Sequence, residues 1–347
     1  MKRGPFRIFL KQPGGWRILA GGTIVFLLAM ATLTGSIWTS YKADDLDLEN
    51  QLTPPSAPWL KRLMATDEAL RMQERNQAGG RGQHTPAAPS ADDEDLDFLG
   101  GGSEDSAAIA ARAAEPPAPK RNTHVLGTDR NGRDLLALLI AGARNCFLPG
   151  LVTCAFALGL GVPLGLLAGY YGGNVRKIVG TFNSTILSLP RLVLILVVIC
   201  ALEPNVYYTM GVLGGTLIPR VSELIATRVR ILSNMGFILA AKEAALSDFK
   251  ILYRHLFWYQ NRAVFFIQFS LIMAESILVE TTLSYLQFGT KPPEVSWGNI
   301  IEGSQMSFFS GFYWITFFPA VAIILAILGF FYLGDGLNAR LAWKEGR

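Results

Sequence analysis

The sequence has little of what metal or thiol chemistry requires. It holds three cysteines in 347 residues, Cys146, Cys154 and Cys200, and each lies inside an apolar run. Cysteine so placed acts as a small apolar residue rather than a disulfide half or a metal ligand. The three histidines are scattered at positions 84, 124 and 255 and form no ligand cluster. No G-x-x-x-x-G-K-S/T stretch is present, so no loop of the kind that cradles ATP phosphates is expected. No nucleophile is arranged with a base, so no catalytic and no metal-binding residue is assigned. Charge is also missing from long stretches of the chain, and that absence is the most informative.

Half of the residues are hydrophobic, and the mean hydropathy is +0.31. The apolar residues gather in runs of about 20, the length that spans a ~30 Å hydrocarbon core. Six such runs cover residues 18–38, 147–171, 178–202, 207–226, 263–288 and 312–333. This pattern predicts an all-α membrane protein with about six transmembrane helices. The first run follows a flank with five Lys or Arg and no acid. It reads as an uncleaved helix with a cytoplasmic N-terminus. The rival reading, a cleaved signal peptide, meets a long run and a poor cleavage site at Ser36, Ile37 and Trp38.

Loop charge sets the expected orientation, because short cytoplasmic loops carry excess Lys and Arg. Arg176 and Lys177 lie between the second and third runs. Arg228, Arg230, Lys242, Lys250, Arg254 and Arg262 face only Glu243 and Asp248 in the segment 227–262, and Arg340, Lys344 and Arg347 face Asp335 and Glu345 after the last run. These segments are expected inside, with both termini cytoplasmic. Residues 39–145 are then external, and they carry seventeen acids against twelve Lys and Arg. Residues 57–77 have the pattern of a short amphipathic helix. The Gly-, Pro- and acid-rich stretch 79–121, with its acidic run Asp92–Asp97, has too few core-forming residues to fold and reads as a disordered insert.

Four segments carry more than hydropathy. The first is HVLGTDRNGRDLLALLIAGAR, His124 to Arg144. Gly127 and Gly132 permit tight turns. Asp129 is placed to cap the next helix, Arg133 and Asp134 to fix the loop by charge, and Leu135, Leu138 and Leu139 to form a face at the membrane surface. His124 and Thr128 complete this structural motif. The second is LGVPLGLLAGYYGG, Leu160 to Gly173, where Gly159, Gly161, Gly165 and Gly169 recur near every fourth position, a spacing that admits a close helix in lipid. The third, Phe237 to Asn261, presents Ala240, Ala241, Ala244 and Ala245 as a small-residue face. Lys242 and Glu243 lie elsewhere around that helix, and Ser247 or Asp248 ends it and caps the next. The fourth, Glu280 to Gly303, holds Pro292 and Pro293 at the outer exit of the fifth run and Trp297 at the membrane interface. Arg191, Arg220, Glu223 and Glu275 fall inside apolar runs, where charge is costly and faces protein or water. They are candidates for lining a polar path, with Arg220 and Glu223 spaced to pair on one helix face.

These segments together resemble the second permease subunit of dipeptide and oligopeptide ATP-binding-cassette importers. The resemblance rests on His124, Leu126 to Asp129, Gly132 to Asp134, Gly142 to Arg144, the Leu160–Gly173 segment and the Phe237–His255 loop. It continues through Glu280, Leu283, Ser284, Leu286, Gly289, Pro292, Pro293, Ser296, Trp297, Gly298 and the Leu333–Leu337 ending. It covers roughly residues 120 to 340. Departures are Val125 and Trp258 for Pro, Leu239 for Glu, and Ala245 and Gln287 for Gly. The resemblance implies the type I importer permease fold in a bacterial inner membrane. It also implies a heterodimer with a second permease subunit, two separate ATP-binding subunits, an external solute-binding protein and a peptide substrate. The chain would then need no cofactor of its own, and Ala240, Ala241, Lys242, Ala244, Ala245, Ser247 and Asp248 would form the loop that couples to an ATPase. Two other readings stay open: an ion-driven carrier with Arg191 and Glu275 as relay, and a degenerate, non-transporting membrane interaction subunit.

Overall fold

The structure is a computed structural model that describes residues 14–38, 51–56, 64, 71, 124–201, 205–291 and 293–345. The expected amphipathic helix at 57–77 (apart from Met64 and Arg71) and the expected insert at 79–121 lie outside the described residues. Those described form helices and no named strand; the one β-bridge joins Thr128 to Asp134. In chain order the helices are α1 (Gly15–Trp38), α2 (Leu135–Tyr171), α3 (Gly173–Leu187), α4 (Arg191–Ala201), α5 (Val206–Ser233) and α6 (Gly236–Glu243). They continue with α7 (Asp248–Tyr285), α8 (Trp297–Gly303), α9 (Gln305–Phe309) and α10 (Trp314–Glu345). Four of them, α1, α2, α7 and α10, are long and apolar enough to cross a membrane. The count reaches six if the bent pairs α3–α4 and α5–α6 are each one span. The chain is thus the all-helical membrane protein that its hydropathy predicts.

The third apolar run is not one helix. It breaks between Leu187 and Arg191, and the two pieces meet at 77°. Pro190 supplies the reason, since it has no amide hydrogen for the helix ladder and restricts the residue before it. At the point where Trp258 stands in place of the expected proline, the opposite happens. Trp258 keeps its backbone donor, and α7 runs unbroken from Asp248 to Tyr285, with a π-helical stretch over Ile251–Asn261. Asn261 closes that stretch by donating its side-chain amide to the Leu256 carbonyl, five residues back, at 2.8 Å.

The tightest packing joins α2 to α5. A Cβ built on Gly161 would lie 2.8 Å from Val221 Cβ, one on Gly165 2.7 Å from Ile225 Cβ, and one on Gly169 2.7 Å from Val229 Cβ. Each glycine is one helical turn from the next, and so is each branched partner, so the two rows mesh with backbones close together. Gly159 takes no part, because it faces open space. Along α10, Gly329 and Gly336 admit Ile24 and Ile18 of α1 in the same way, and Arg17 of α1 pairs with Asp335. Since α7 packs on both α2 and α10, these contacts make one bundle.

Candidate functional site

The residues singled out in the sequence fall into three places along this bundle. The first is the end of α2 where the helix begins. Here the chain from His124 to Asp134 is folded tightly by its own side chains. Asp129 accepts from the backbone of Asn131 at 2.9 Å and of Arg133 at 2.8 Å, and its other oxygen takes the Arg133 guanidinium at 2.8 Å. Gly127 and Gly132 make the turns with φ of 85° and 75°. The helix cap is Asp134 rather than Asp129: its carboxylate accepts from Ala137 N at 2.9 Å and meets His124 Nδ1 at 3.0 Å. Arg133 accordingly pairs with Asp129 and not with Asp134. The turn from Asp129 to Arg133 keeps the Asp129 carboxylate on its own loop, while Asp134 immediately precedes α2 and meets its free amides. Thr128 exchanges bonds with Thr53, its hydroxyl accepting from Thr53 N at 2.7 Å and its amide reaching Thr53 O at 2.9 Å.

Two further expectations are corrected at this end. Leu135 and Leu138 are wholly buried and pack into the bundle rather than lying at a membrane surface. Trp297 is also buried. Its indole lies against Gly142, where a Cβ would come within 2.6 Å of it, and it donates to the Leu139 carbonyl at 2.8 Å. Glu280, in the last turns of α7, is fully buried too. Cys146 Sγ (3.0 Å), the Ser284 hydroxyl (2.7 Å) and the Thr290 hydroxyl (3.2 Å) surround its carboxyl. Neutral donors from α2, α7 and the following loop thus satisfy an acid that sequence alone would leave to solvent.

The second place lies midway along the helices. Glu275 of α7 joins Arg191, at the start of α4, through one carboxylate oxygen and Arg220 of α5 through the other, the latter at 3.1 Å. Arg220 therefore pairs between helices and not with Glu223, which is one turn away and exposed. The break before Arg191 is what turns that side chain toward α7. The guanidinium side chains remain 38% and 52% exposed for Arg191 and Arg220. A charge at the centre of a bilayer costs about 2.5–3.5 kcal/mol or more against lipid, so this face meets protein or water.

The third place is the far end of α2, around the short helix α6. A 72° bend separates α6 from α5. Ile238 and Ala241 point into the bundle and are buried, while Ala240, Ala244 and Ala245 are exposed. The four alanines therefore do not share one free face: Ala241 anchors the helix and the other three remain outside, beside the exposed Phe237 and Leu239. The helix ends at Glu243, and Ala245 takes a left-handed φ of 54°. Its amide reaches Lys242 O at 2.9 Å, and that of Leu246 reaches Ala241 O at 3.2 Å, the paired bonds of a Schellman stop. Ser247 stands at the N-cap of α7 without a side-chain cap bond. Asp248 is engaged elsewhere, accepting from the hydroxyls of Tyr170 at 2.7 Å and Tyr171 at 3.2 Å. Lys242 Nζ sits 4.8 Å above the Tyr170 ring. The two tyrosines were not singled out from sequence. Their only mark there is a pair of aromatics closing an apolar run.

A bundle of long apolar helices, charged midway along its length and ending in a bent, partly apolar helix, defines a multi-pass membrane component. Residues 161–343 match the family described as binding-protein-dependent transport system inner membrane component. This match takes in more than half of the chain, and the chain belongs to that family; it is a multi-pass inner-membrane protein. It is similar to the dipeptide transport system permease protein DppC of Alkalihalophilus pseudofirmus, with 29% identity over 63% of this chain and 71% of the relative. It is similar to the probable D,D-dipeptide transport system permease protein DdpC of Escherichia coli, with 29% identity over 69% and 78%. The oligopeptide transport system permease protein OppC of Lactococcus lactis is 30% identical over 64% and 76%.

Proposed function

We propose that this chain is the transmembrane permease subunit of an ATP-binding-cassette importer for peptides, forming half of the translocation pathway. Peptides are the cargo that the names of its relatives give for those proteins. The chain catalyses no covalent step and binds no cofactor. Two separate ATP-binding subunits hydrolyse ATP, a second permease subunit completes a heterodimer, and an external solute-binding protein delivers the peptide. Both termini and the segment 227–262 lie in the cytoplasm. Arg191, Arg220 and Glu275 line the polar path, with Glu223 one turn below.

The observation that carries this reading is α6. A short helix held at 72° to α5 by two buried side chains, with Phe237, Leu239, Ala240 and Ala244 outward, is an apolar peg whose outer face has no seat among the described residues. A groove on an ATPase subunit supplies that seat. The test uses an Ala240→Cys variant in a Cys200→Ser background, since Cys200 is the exposed native thiol. A membrane-impermeant maleimide is expected to label it in inside-out vesicles only. In the assembled complex the cysteine is expected to cross-link to an ATPase subunit, and right-side-out vesicles that hold ATP inside and the binding protein outside are expected to take up peptide. Labelling from the external face would overturn the reading. Cross-linking without ATP-driven uptake would leave a non-transporting subunit in its place.

A further inference from the structure

The carboxylate of Asp248 ties the two ends of a mechanical loop together. Following α5 outward, the chain bends at Asn234 and Met235 into α6, turns through Ala245 and enters α7 at Asp248. From Asp248 the connection passes through two hydroxyl donors to Tyr170 and Tyr171, the last residues of α2. Along α2 the row Gly161, Gly165 and Gly169 meshes with Val221, Ile225 and Val229, which returns to α5. Two sides of this triangle are continuous, one as covalent chain with a joint at Asn234 and Met235 and the other as close-packed backbone. The third side is the tyrosine–aspartate link, assisted by the Lys242 ammonium over the Tyr170 ring. Among the described residues of α6, only Ile238 and Ala241 are buried against the bundle. Without the third side, those two side chains and the chain into α7 are left to resist a swing of the peg about its joint with α5.

We infer that Asp248, Tyr170 and Tyr171 form a latch that makes α6 and the α2–α5 pair move as one body, so that displacement of α6 by a partner reaches the membrane-crossing helices. This inference rests on the permease reading above. Asp248 is a positioning residue: it touches no cargo and acts through the orientation of α6. The geometry suits the task, because the acceptor has two oxygens and each tyrosine uses its own. The two bonds converge from adjacent positions on a helix end, and so resist rotation as well as separation.

The test compares wild type with Tyr170→Phe/Tyr171→Phe, with the single Tyr171→Phe variant, and with Asp248→Asn, all as the full chain. Phenylalanine keeps the rings and the cation–π contact and removes only the hydroxyls. Two measurements are made. Hydrogen exchange of the purified protein over residues 236–250 is expected to speed up at least fivefold in the double variant and less in the single one, with exchange in the α2–α5 core unchanged. In reconstituted complexes the double variant is expected to keep ATP turnover within twofold of wild type while peptide taken up per ATP falls at least threefold. Asp248→Asn, which retains one acceptor oxygen, falls between. A merely structural role would lower both activities together, or speed exchange throughout the bundle rather than over residues 236–250. Unchanged exchange in the double and single variants overturns the latch, and so does wild-type uptake per ATP in the double variant. Should wild type itself show no ATP-driven uptake, the permease reading falls, and with it the coupling role, whereas the exchange result still reports the link.

Discussion

Ala245 and Gln287 occupy equivalent places in two helix ends: each is the left-handed residue that stops a helix, at φ 54° after α6 and φ 64° after α7. At the second stop, Gln287 N bonds Ser284 O at 3.1 Å and Phe288 N bonds Leu283 O at 2.8 Å, the same pair of bonds seen around Ala245. Both positions are ones where the family resemblance leads one to expect glycine. The turns keep their shape although the residue that favours it has gone. A left-handed conformation costs an L-residue about 1–2 kcal/mol. Glycine returns part of that gain, about 0.4–1 kcal/mol, as unfolded-state entropy. Ala245→Gly and Gln287→Gly are therefore each expected to stabilise the protein by roughly 0.5–1 kcal/mol, read as a shift of the denaturation midpoint in micelles. Ala244→Gly, one residue earlier at φ −72°, is expected to destabilise by about 0.5–1 kcal/mol. If all three changes act alike, the conformational argument is wrong.

The glycine row on α2 makes a sharper contrast. A methyl group at Gly165 would meet Ser222 O at 2.6 Å as well as Ile225, and both are parts of a helix that cannot give way locally. Gly165→Ala is expected to destabilise by about 1–3 kcal/mol, the usual range for overpacking. Gly159→Ala, in open space on the same helix, is expected to cost nothing and to gain up to about 1 kcal/mol from helix propensity. Equal unfolding midpoints for the two variants would show that α2 and α5 are not in close contact in the membrane.

Glu275 is shared by two guanidiniums, so its neutralisation strands both. Glu275→Gln is expected to destabilise by about 1–2 kcal/mol, less than the ~3–5 kcal/mol of a fully buried pair because both arginines are partly exposed. The combined variant Arg191→Gln/Arg220→Gln/Glu275→Gln is expected to recover most of that loss, since it leaves no uncompensated charge. Peptide uptake in reconstituted vesicles is expected to fall more than tenfold in both. Wild-type uptake by the triple variant would remove these residues from the path.

Asp134 and Asp129 carry the same charge five residues apart but act on different parts of the chain. Asp134→Ala removes the cap of α2 and the partner of buried His124, with an expected loss of about 2–3 kcal/mol. The Ala137 amide should then exchange faster with solvent. Asp129→Ala frees only its own turn and should leave the Ala137 amide protected. Loss of protection in both variants would mean that the loop and the cap are a single unit.

Much of the architecture was legible because hydropathy is a local property. The apolar runs mark their helices whatever these pack against, since a chain in lipid must satisfy its backbone within each segment. The glycine row was legible for the same reason: a repeat of small residues every four positions announces a close neighbour without naming it. Misreadings arose where a side chain had to choose among partners. Arg220 chose Glu275 over Glu223, Arg133 chose Asp129 over Asp134, and Asp248 chose two tyrosines 77 and 78 residues away over the cap of its own helix. Trp297 looked like an interface residue, and packing against α2 buried it.

By itself the sequence determined where the apolar runs lie, the turn-forming glycines and the family, because each depends on residues near one another along the chain. The tertiary structure decided which charges meet, which alanine of α6 is held and which are free, and how the end of α2 is joined to the start of α7. Those outcomes follow from distances between helices, which hydrogen bonds and ion pairs of a few ångströms require and which no local pattern encodes.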